Sequence, residues 1–345
     1  MSNADVVLNP AEPTTNAPPG KIEPDTAEFG SCEPDPRRII SVDHFDYLAH
    51  ECTQLSDIGK LFAGALKLPS VVTSKGRAKY FIDEVEKLAS TQTQDSPSTF
   101  AWEFTEKLIR IAAQIPPRNL AQAVLVKTIA SLYATEEKDE VNQWRSLKSF
   151  SMSMREAWNL SPNIGTGPSS KHNFTGYQWI DLNSFLAKLH QKQIVQLENY
   201  PIWELRSSLE TPLSSDGEPA TDIRIRVVEE WLRQTAPRLL QDSLLSTFSD
   251  FPEGGNRGRP YRGGPLYTGE SGYSLERWCF WKRRLREIRT EVDEDLRVVV
   301  DEATEYMTRA EKNQGMLAKR SANLAGCKSD GDQPEYEDSV VSDSF

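Results

Sequence analysis

A loop rich in glycine and arginine contains the residue types that bind anions. Residues 250–273 include seven glycines and three arginines. Glycine lets backbone N–H groups turn toward a ligand, and an arginine side chain offers a planar fork that matches phosphate or carboxylate. Arg277 follows in the first turn of a predicted helix, where the helix N-terminus favours negative charge. The pattern predicts a site for a small anionic ligand at residues 254–277; the alternative is a surface loop whose arginines contact only water.

This hypothesis joins the loop to charged and aromatic residues elsewhere in the chain. The candidate ligand-binding residues are Arg206, Glu210, Arg262, Tyr267, Arg277 and Trp281. Convergence of the arginines on Glu210 in a pocket beside Trp281 would favour a small-molecule binder or an enzyme. Arginines that each point separately into solvent would contradict that function.

The sequence carries no recognised catalytic motif. A phosphate-binding loop, a zinc-protease helix and a GxSxG elbow do not occur in it. Residues 269–272 resemble the elbow but are one residue too short, and residues 165–167 lack the third glycine and the preceding strand of a dinucleotide fingerprint. We therefore predict no cofactor and no catalytic residue, and we favour a non-catalytic role.

Histidines and cysteines are too scattered to predict a metal site. Asp46 and His50 lie four apart on a predicted helix, but no other helix offers a matching acid–histidine pair, so a surface ion pair is expected. His172 and His190 are isolated, and we treat both as incidental. The four cysteines are far apart and form no CxxC pair, which favours free thiols in a reducing compartment. The cytoplasm is the predicted location, with the nucleus as the alternative.

Large aromatic residues and a basic run mark the predicted helix that begins after Ser274. Trp278 and Trp281 lie on its inward stripe, and we interpret them as core residues that join helices; the alternative is a wall of a pocket for a flat apolar ligand. Acidic residues interleave with the arginines of residues 277–289, so this run is interpreted as a solvated helix face. Nucleic acid is not a predicted partner.

The spacing of apolar residues predicts helices throughout the central part of the chain. Phe100, Phe104 and Leu108 recur at helical spacing, and residues 120–134 form an apolar run interpreted as a buried helix. A long final helix is predicted from Ser274 to about Glu311, with an inward stripe that includes Leu275. No alternating pattern indicates a strand. We predict an all-α fold: a single helical-array domain of eight to ten helices over residues 41–313, with long loops at residues 161–177 and 250–273.

Two acidic terminal segments flank this predicted domain. Residues 1–40 are rich in proline, and residues 314–345 are polar and acidic; both are predicted to be disordered. Residues 1–36 and 328–345 together account for the whole formal net charge of −11, so the central part is balanced. Neither a secretory signal nor an apolar stretch of membrane-spanning length is present, and no membrane association is predicted.

Three segments resemble a known protein family. They are residues 179–187, residues 203–210, and residues 264–269 leading into residues 274–282. Their order and their amino-acid sequences resemble those of a family of fungal, mostly helical proteins known as domain of unknown function 3632. Where that family often has Trp, this chain has Tyr267. The resemblance implies a helical fold and carries no activity, cofactor or catalytic residue.

Two functions follow as hypotheses. The first is a protein-interaction or scaffold module with a protein partner. The alternative is a small-molecule binder or enzyme whose anionic ligand is held by the glycine/arginine loop.

Overall fold

The structure is a computed structural model in which ten helices are described, with no strand among the described residues. The described residues are 56–92, 97–134, 147–162, 173–195, 197–213, 219–248 and 260–326. The helices are α1 (Ser56–Lys67), α2 (Ser74–Gln92), α3 (Pro97–Ala112), α4 (Leu120–Ala134), α5 (Leu147–Trp158), α6 (Gly176–Gln191), α7 (Asn199–Leu209), α8 (Pro219–Leu244), α9 (Leu275–Glu291) and α10 (Glu294–Gly326). The predicted all-α class is confirmed.

The predicted helical stripes form the first of two apolar cores. Phe100, Phe104 and Leu108 on α3 are all buried, as their spacing requires. This first core consists mostly of side chains from α1 to α6. The α1–α2 turn is held by Arg77, whose guanidinium donates to the carbonyls of Ala65, Leu66, Pro69 and Val72.

The second core lies between α7, α8, α9 and α10. Trp278 and Trp281 are 1% and 0% exposed, which confirms their prediction as core residues. Ser274 caps α9, because its hydroxyl accepts a hydrogen bond from the backbone N–H of Arg277. The predicted inward position of Leu275 is wrong: it lies in the first turn, beyond the packed stripe, and is 46% exposed.

Helix α8 belongs to both cores. Val227 and Trp231 pack in the first core, whereas Val228 and Leu232 pack in the second. The indole of Trp231 also donates to Oδ1 of Asn183 on α6 at 2.8 Å. A helix that is apolar on two faces fits between layers, and α8 therefore fixes the two halves of the array against each other.

The predicted final helix is two helices. Val292 adopts an extended conformation after α9, and the carboxylate of Asp293 accepts the N–H of Leu296 to start α10. Asp293 caps the new helix, and the negative charges of Glu294 and Asp295 in its first turn interact favourably with the positive end of the α10 dipole. The second helix continues to Gly326, so residues 314–326, assigned to a tail from the sequence, are helical.

Several predictions fall outside the described residues. These are most of the terminal segments, Asp46 and His50, His172, and two of the three loop arginines, Arg257 and Arg259. Among the helices that are described, none combines the length and the apolar character needed to cross a bilayer.

Candidate functional site

All six predicted site residues come together where α7 ends and α9 begins. Arg206 and Glu210 lie at the C-terminal end of α7, Arg262 and Tyr267 lie in the loop of residues 260–273, and the first two turns of α9 supply Arg277 and Trp281. Ser274 fixes the start of α9 and thereby points Arg277 back toward α7.

A buried ion pair is the centre of this arrangement. The side chains of Arg277 and Glu210 are both fully buried, and Nε of Arg277 donates to Oε1 of Glu210 at 2.6 Å. One terminal nitrogen donates to Oε2 of Glu210 and to the carbonyl of Arg262, both at 3.0 Å. The other donates to the carbonyls of Tyr261 and Gly272 at 2.7 and 2.8 Å. All five N–H groups of the guanidinium are thus engaged within the protein.

Glu210 is equally well satisfied. Its Oε1 also accepts the indole N–H of Trp281 at 2.6 Å, and its Oε2 accepts the backbone N–H of Gly264 at 2.7 Å. Its carbonyl accepts the N–H of Leu266 at 2.9 Å. The rings of Tyr267 and Trp281 lie 5.2 and 5.5 Å from the Arg277 guanidinium, within cation–π range. We call Glu210, Arg277 and the loop backbone that they hold the clasp.

Close approach explains one glycine of the clasp. A Cβ at Gly264 would lie 2.7 Å from both the Cβ and the carbonyl oxygen of Glu210. Only glycine therefore lets the loop backbone reach the carboxylate.

The clasp brings the predicted residues together, but the polar side-chain atoms of Arg206, Glu210 and Arg277 bind backbone groups of the loop. Arg206 donates to the backbone carbonyls of Pro260 and Arg262, both at 3.3 Å. Arg262 takes part through this carbonyl, and its side chain is exposed. Two of the three arginines, Arg206 and Arg277, therefore hold backbone carbonyls of the loop. Binding of an anionic ligand by these residues stays a prediction.

A different group of charged residues lines an open cavity between helices. The turn before α4 contributes Pro117 and Arg118, α6 contributes Tyr177, Ile180 and Asp181, α8 contributes Arg226, Glu229 and Glu230, and α10 contributes Val299 and Glu302. We call this cavity the acidic groove, because four carboxylates and two guanidiniums line it. Its volume is about 50 Å³.

Glu229 is the unusual residue of the acidic groove. Its side chain is 9% exposed, and Oε1 has no hydrogen-bond partner within the part of the chain that the structure describes, although Nε of Arg233 lies 3.4 Å away. Arg233 makes its hydrogen bond to Glu230 instead. Burial, and then the negative charge of Glu230, raise the pKa of Glu229 to about 8 against the attraction of Arg233.

Other basic groups around the groove are already engaged. Arg226 pairs with Asp222 at 3.0 Å. Lys188 donates to the carbonyl of Pro117 and to the side chain of Gln122, and burial lowers its pKa to about 8. In the lining itself, four carboxyl groups stand against the two guanidiniums of Arg118 and Arg226.

The sequence analysis missed this site, although a signal for it exists. Glu229 and Glu230 are adjacent acids inside the apolar run from Ile225 to Leu232. Acidic residues are almost never buried unless they are paired or functional. The pair could have been singled out, but not the other groove residues, which come from α6, α10 and the turn before α4.

Comparison with known proteins places this all-α array in a family. A family model described as "Protein of unknown function (DUF3632)" matches residues 106–285, and the chain belongs to that family. The match includes the clasp and the α6 and α8 sides of the acidic groove, and it confirms the resemblance seen in the sequence. Searches of curated proteins and of solved structures returned no match.

Proposed function

We propose that the protein is an interaction module that binds a basic side chain of a protein partner in the acidic groove. One observation carries this proposal: Glu229 is a buried residue of the groove lining, and its Oε1 has no hydrogen-bond partner among the described residues. A buried polar atom without a partner costs about 1–3 kcal/mol. An incoming ammonium or guanidinium would supply the missing donor, and its positive charge would favour the ionised form of Glu229, whose pKa burial raises to about 8.

The charge of the groove favours a cation. Glu302 at the rim is exposed, and Asp181 and Glu230 lie deeper, so the carboxylates line one path from the surface to Glu229. A guanidinium suits such a site, because its planar fork pairs with carboxylates through two hydrogen bonds.

The size of the groove favours a side chain over a whole metabolite. A water molecule needs about 10–15 Å³ of such space, so a cavity of about 50 Å³ holds the end of one side chain. Sites for complete small molecules usually have about 300–1,000 Å³.

Exposed apolar residues near the rim favour a protein as the source of that side chain. Leu120 and Val298 are 56% and 58% exposed, and each lies within two residues of a groove residue, Arg118 or Val299. Protein interfaces bury apolar area in their core together with a limited number of direct hydrogen bonds.

The test compares arginine with citrulline, which has the same shape and no charge. An array of peptides that carry arginine at a fixed central position, otherwise randomised, is probed with the labelled protein, and hits are measured by fluorescence anisotropy. We expect the arginine peptides to bind and their citrulline counterparts to bind at least about tenfold more weakly. Glu229→Gln should lower the affinity by a similar factor.

The matched control is Glu305→Gln, on the same face of the molecule but outside the groove. Glu305 is exposed and pairs with Arg309 on α10. This variant should bind like the wild type. Equal binding of the citrulline peptides, or no effect of Glu229→Gln in a protein that melts like the wild type, would contradict the proposed function.

A further inference from the structure

A second cavity lies at the opposite end of α6, away from the residues of the acidic groove. It is lined by His190, Gln193, Val195, Glu198 and Arg238, and its volume is about 250 Å³. The chain turns sharply there, because Gln193 adopts a left-handed conformation with φ of 54° and donates its N–H to the carbonyl of His190. At this volume the cavity approaches the size of small-molecule sites.

His190 supplies a buried polar atom without a partner. His190 is 3% exposed, its ring packs edge-on against Trp231 at 6.1 Å, and its Nε2 makes no hydrogen bond to the residues that the structure describes. Burial, and then the positive charge of Arg238, lower the pKa of His190 to about 4. At neutral pH the imidazole is therefore uncharged and has one donor and one acceptor nitrogen.

Arg238 and Glu198 add opposite charges to the same cavity. Nε of Arg238 donates to both carboxylate oxygens of Asp242, at 3.2 and 3.1 Å. Its terminal nitrogens make no hydrogen bond within the part of the chain that is described. The carbonyl of Glu198 accepts the hydroxyl of Tyr273 at 2.7 Å, whereas its carboxylate has no hydrogen-bond partner among the described residues.

We infer that this cavity binds a small zwitterion, of the size and charge pattern of a free α-amino acid. The terminal nitrogens of Arg238 hold the carboxylate, the carboxylate of Glu198 holds the ammonium group, and Nε2 of His190 makes a third hydrogen bond. A purely anionic ligand would be repelled by Glu198 and Asp242. A purely cationic ligand would leave the terminal nitrogens of Arg238 without an acceptor.

The test uses the full chain and the common L-amino acids, each at millimolar concentration, with the melting temperature as the first readout. A ligand that binds the native state stabilises it by mass action. We expect at least one amino acid to raise the melting temperature saturably and to give a binding isotherm by calorimetry. The methyl ester of that amino acid loses the carboxylate, the N-acetyl derivative loses the ammonium group, and both should bind at least about tenfold more weakly.

Variants assign the binding to this cavity. Arg238→Gln and Glu198→Gln should each weaken binding at least about tenfold. Asp242→Asn is the control for Arg238→Gln, because it removes the same ion pair and keeps the guanidinium; it should retain binding. Glu229→Gln should also retain it, so that failure here is separate from failure of the proposed function.

The inference is overturned if no amino acid shifts the melting temperature. It is overturned equally if the ester and N-acetyl derivatives bind as well as the parent, or if Arg238→Gln binds like the wild type.

Discussion

Two buried glutamates show how the surroundings decide what a carboxylate does. Glu210 meets the Arg277 guanidinium, an indole N–H and a backbone N–H. Glu204 accepts a long hydrogen bond from the indole of Trp179, at 3.4 Å, and burial raises its pKa to about 7 although Trp158 also hydrogen-bonds to it. The first residue holds the fold together as an ion, and the second costs stability when it ionises.

Glu210→Gln should therefore be strongly destabilising. The substitution removes the charge that compensates Arg277 and leaves that guanidinium buried, which costs about 3–5 kcal/mol in comparable ion pairs. Urea unfolding measures the change. Glu276→Gln, at an exposed position one residue before Arg277, should change the free energy of unfolding by less than about 0.5 kcal/mol. A loss of less than about 1 kcal/mol for Glu210→Gln would contradict the clasp.

Glu204 should make stability fall as pH rises. Its pKa is raised from 4.5 in the unfolded chain to about 7, so between these values the folded protein binds the extra proton. The free energy of unfolding contributed by this group is present below about pH 4.5 and is lost as pH rises through about 7. Glu204→Gln keeps the shape and cannot ionise. We expect its free energy of unfolding to match the wild type near pH 4 and to exceed it near pH 8, by on the order of 3 kcal/mol.

The measurement is a pair of denaturant titrations of each protein at the two pH values. Other titrating groups contribute to both proteins and cancel in the difference. A difference between the two proteins that does not change with pH would show that Glu204 stays ionised in the fold.

At the scale of elements, arginines hold two connections of this fold through carbonyl oxygens. Arg77 binds four carbonyls at the end of α1 and in the following turn. Arg277 binds three carbonyls of the loop before α9. Backbone carbonyls at such connections need partners, and a guanidinium can serve several at once.

Two glycines should respond in opposite ways to alanine. At Gly264 the new methyl group would overlap Glu210, so we expect Gly264→Ala to lower the free energy of unfolding by about 1–3 kcal/mol. Gly315 is exposed within α10 and has nothing within 4 Å of a built Cβ. Gly315→Ala should raise stability by up to about 1 kcal/mol, because alanine is the better helix former. Thermal melts of the two variants test both signs; a neutral Gly264→Ala would show that the loop is not tightly held.

Most elements could be predicted from the sequence because their cause is local. The apolar spacing of α3 and the cap at Ser274 need no distant contact. The break at Val292 was missed although Asp293, Glu294 and Asp295 are a readable start signal. That signal was outweighed by the apolar stripe, which runs through both helices.

At the scale of the whole molecule, α8 connects the two cores. Its opposite faces are buried in different cores, and its length of 26 residues spans both. A mutation that destabilises one core should therefore lower the stability of the other core as well.

We expect one cooperative unfolding transition. Far-ultraviolet circular dichroism reports all helices, whereas near-ultraviolet circular dichroism reports the packed tryptophans, and the two midpoints should coincide. Phe81→Ala, in the first core and remote in sequence from α8, should lower both midpoints together. Two separate transitions would show that the cores fold independently.

The acidic groove and the cavity beside His190 are each formed by residues from several helices, which is why the sequence predicted them poorly. The acidic groove draws on Arg118, Asp181, Glu229 and Glu302, and only packing of four elements brings them together. His190 is isolated in the sequence, and its meaning depends on the charge of Arg238 from another helix. The six candidate ligand-binding residues were predicted to form one site, but the sequence did not show that Arg206, Glu210 and Arg277 would bind the loop backbone itself.

The clasp also has a consequence for how this protein can change its surface. Arg277 grips residue 262 by its carbonyl, which every amino acid possesses, while the side chain of Arg262 points outward and is exposed. The side chain at position 262 can therefore change with little effect on the stability of the fold. New side chains can be introduced there, by mutation or by design, and each alters the outer chemistry of the loop while the interior that carries it stays the same.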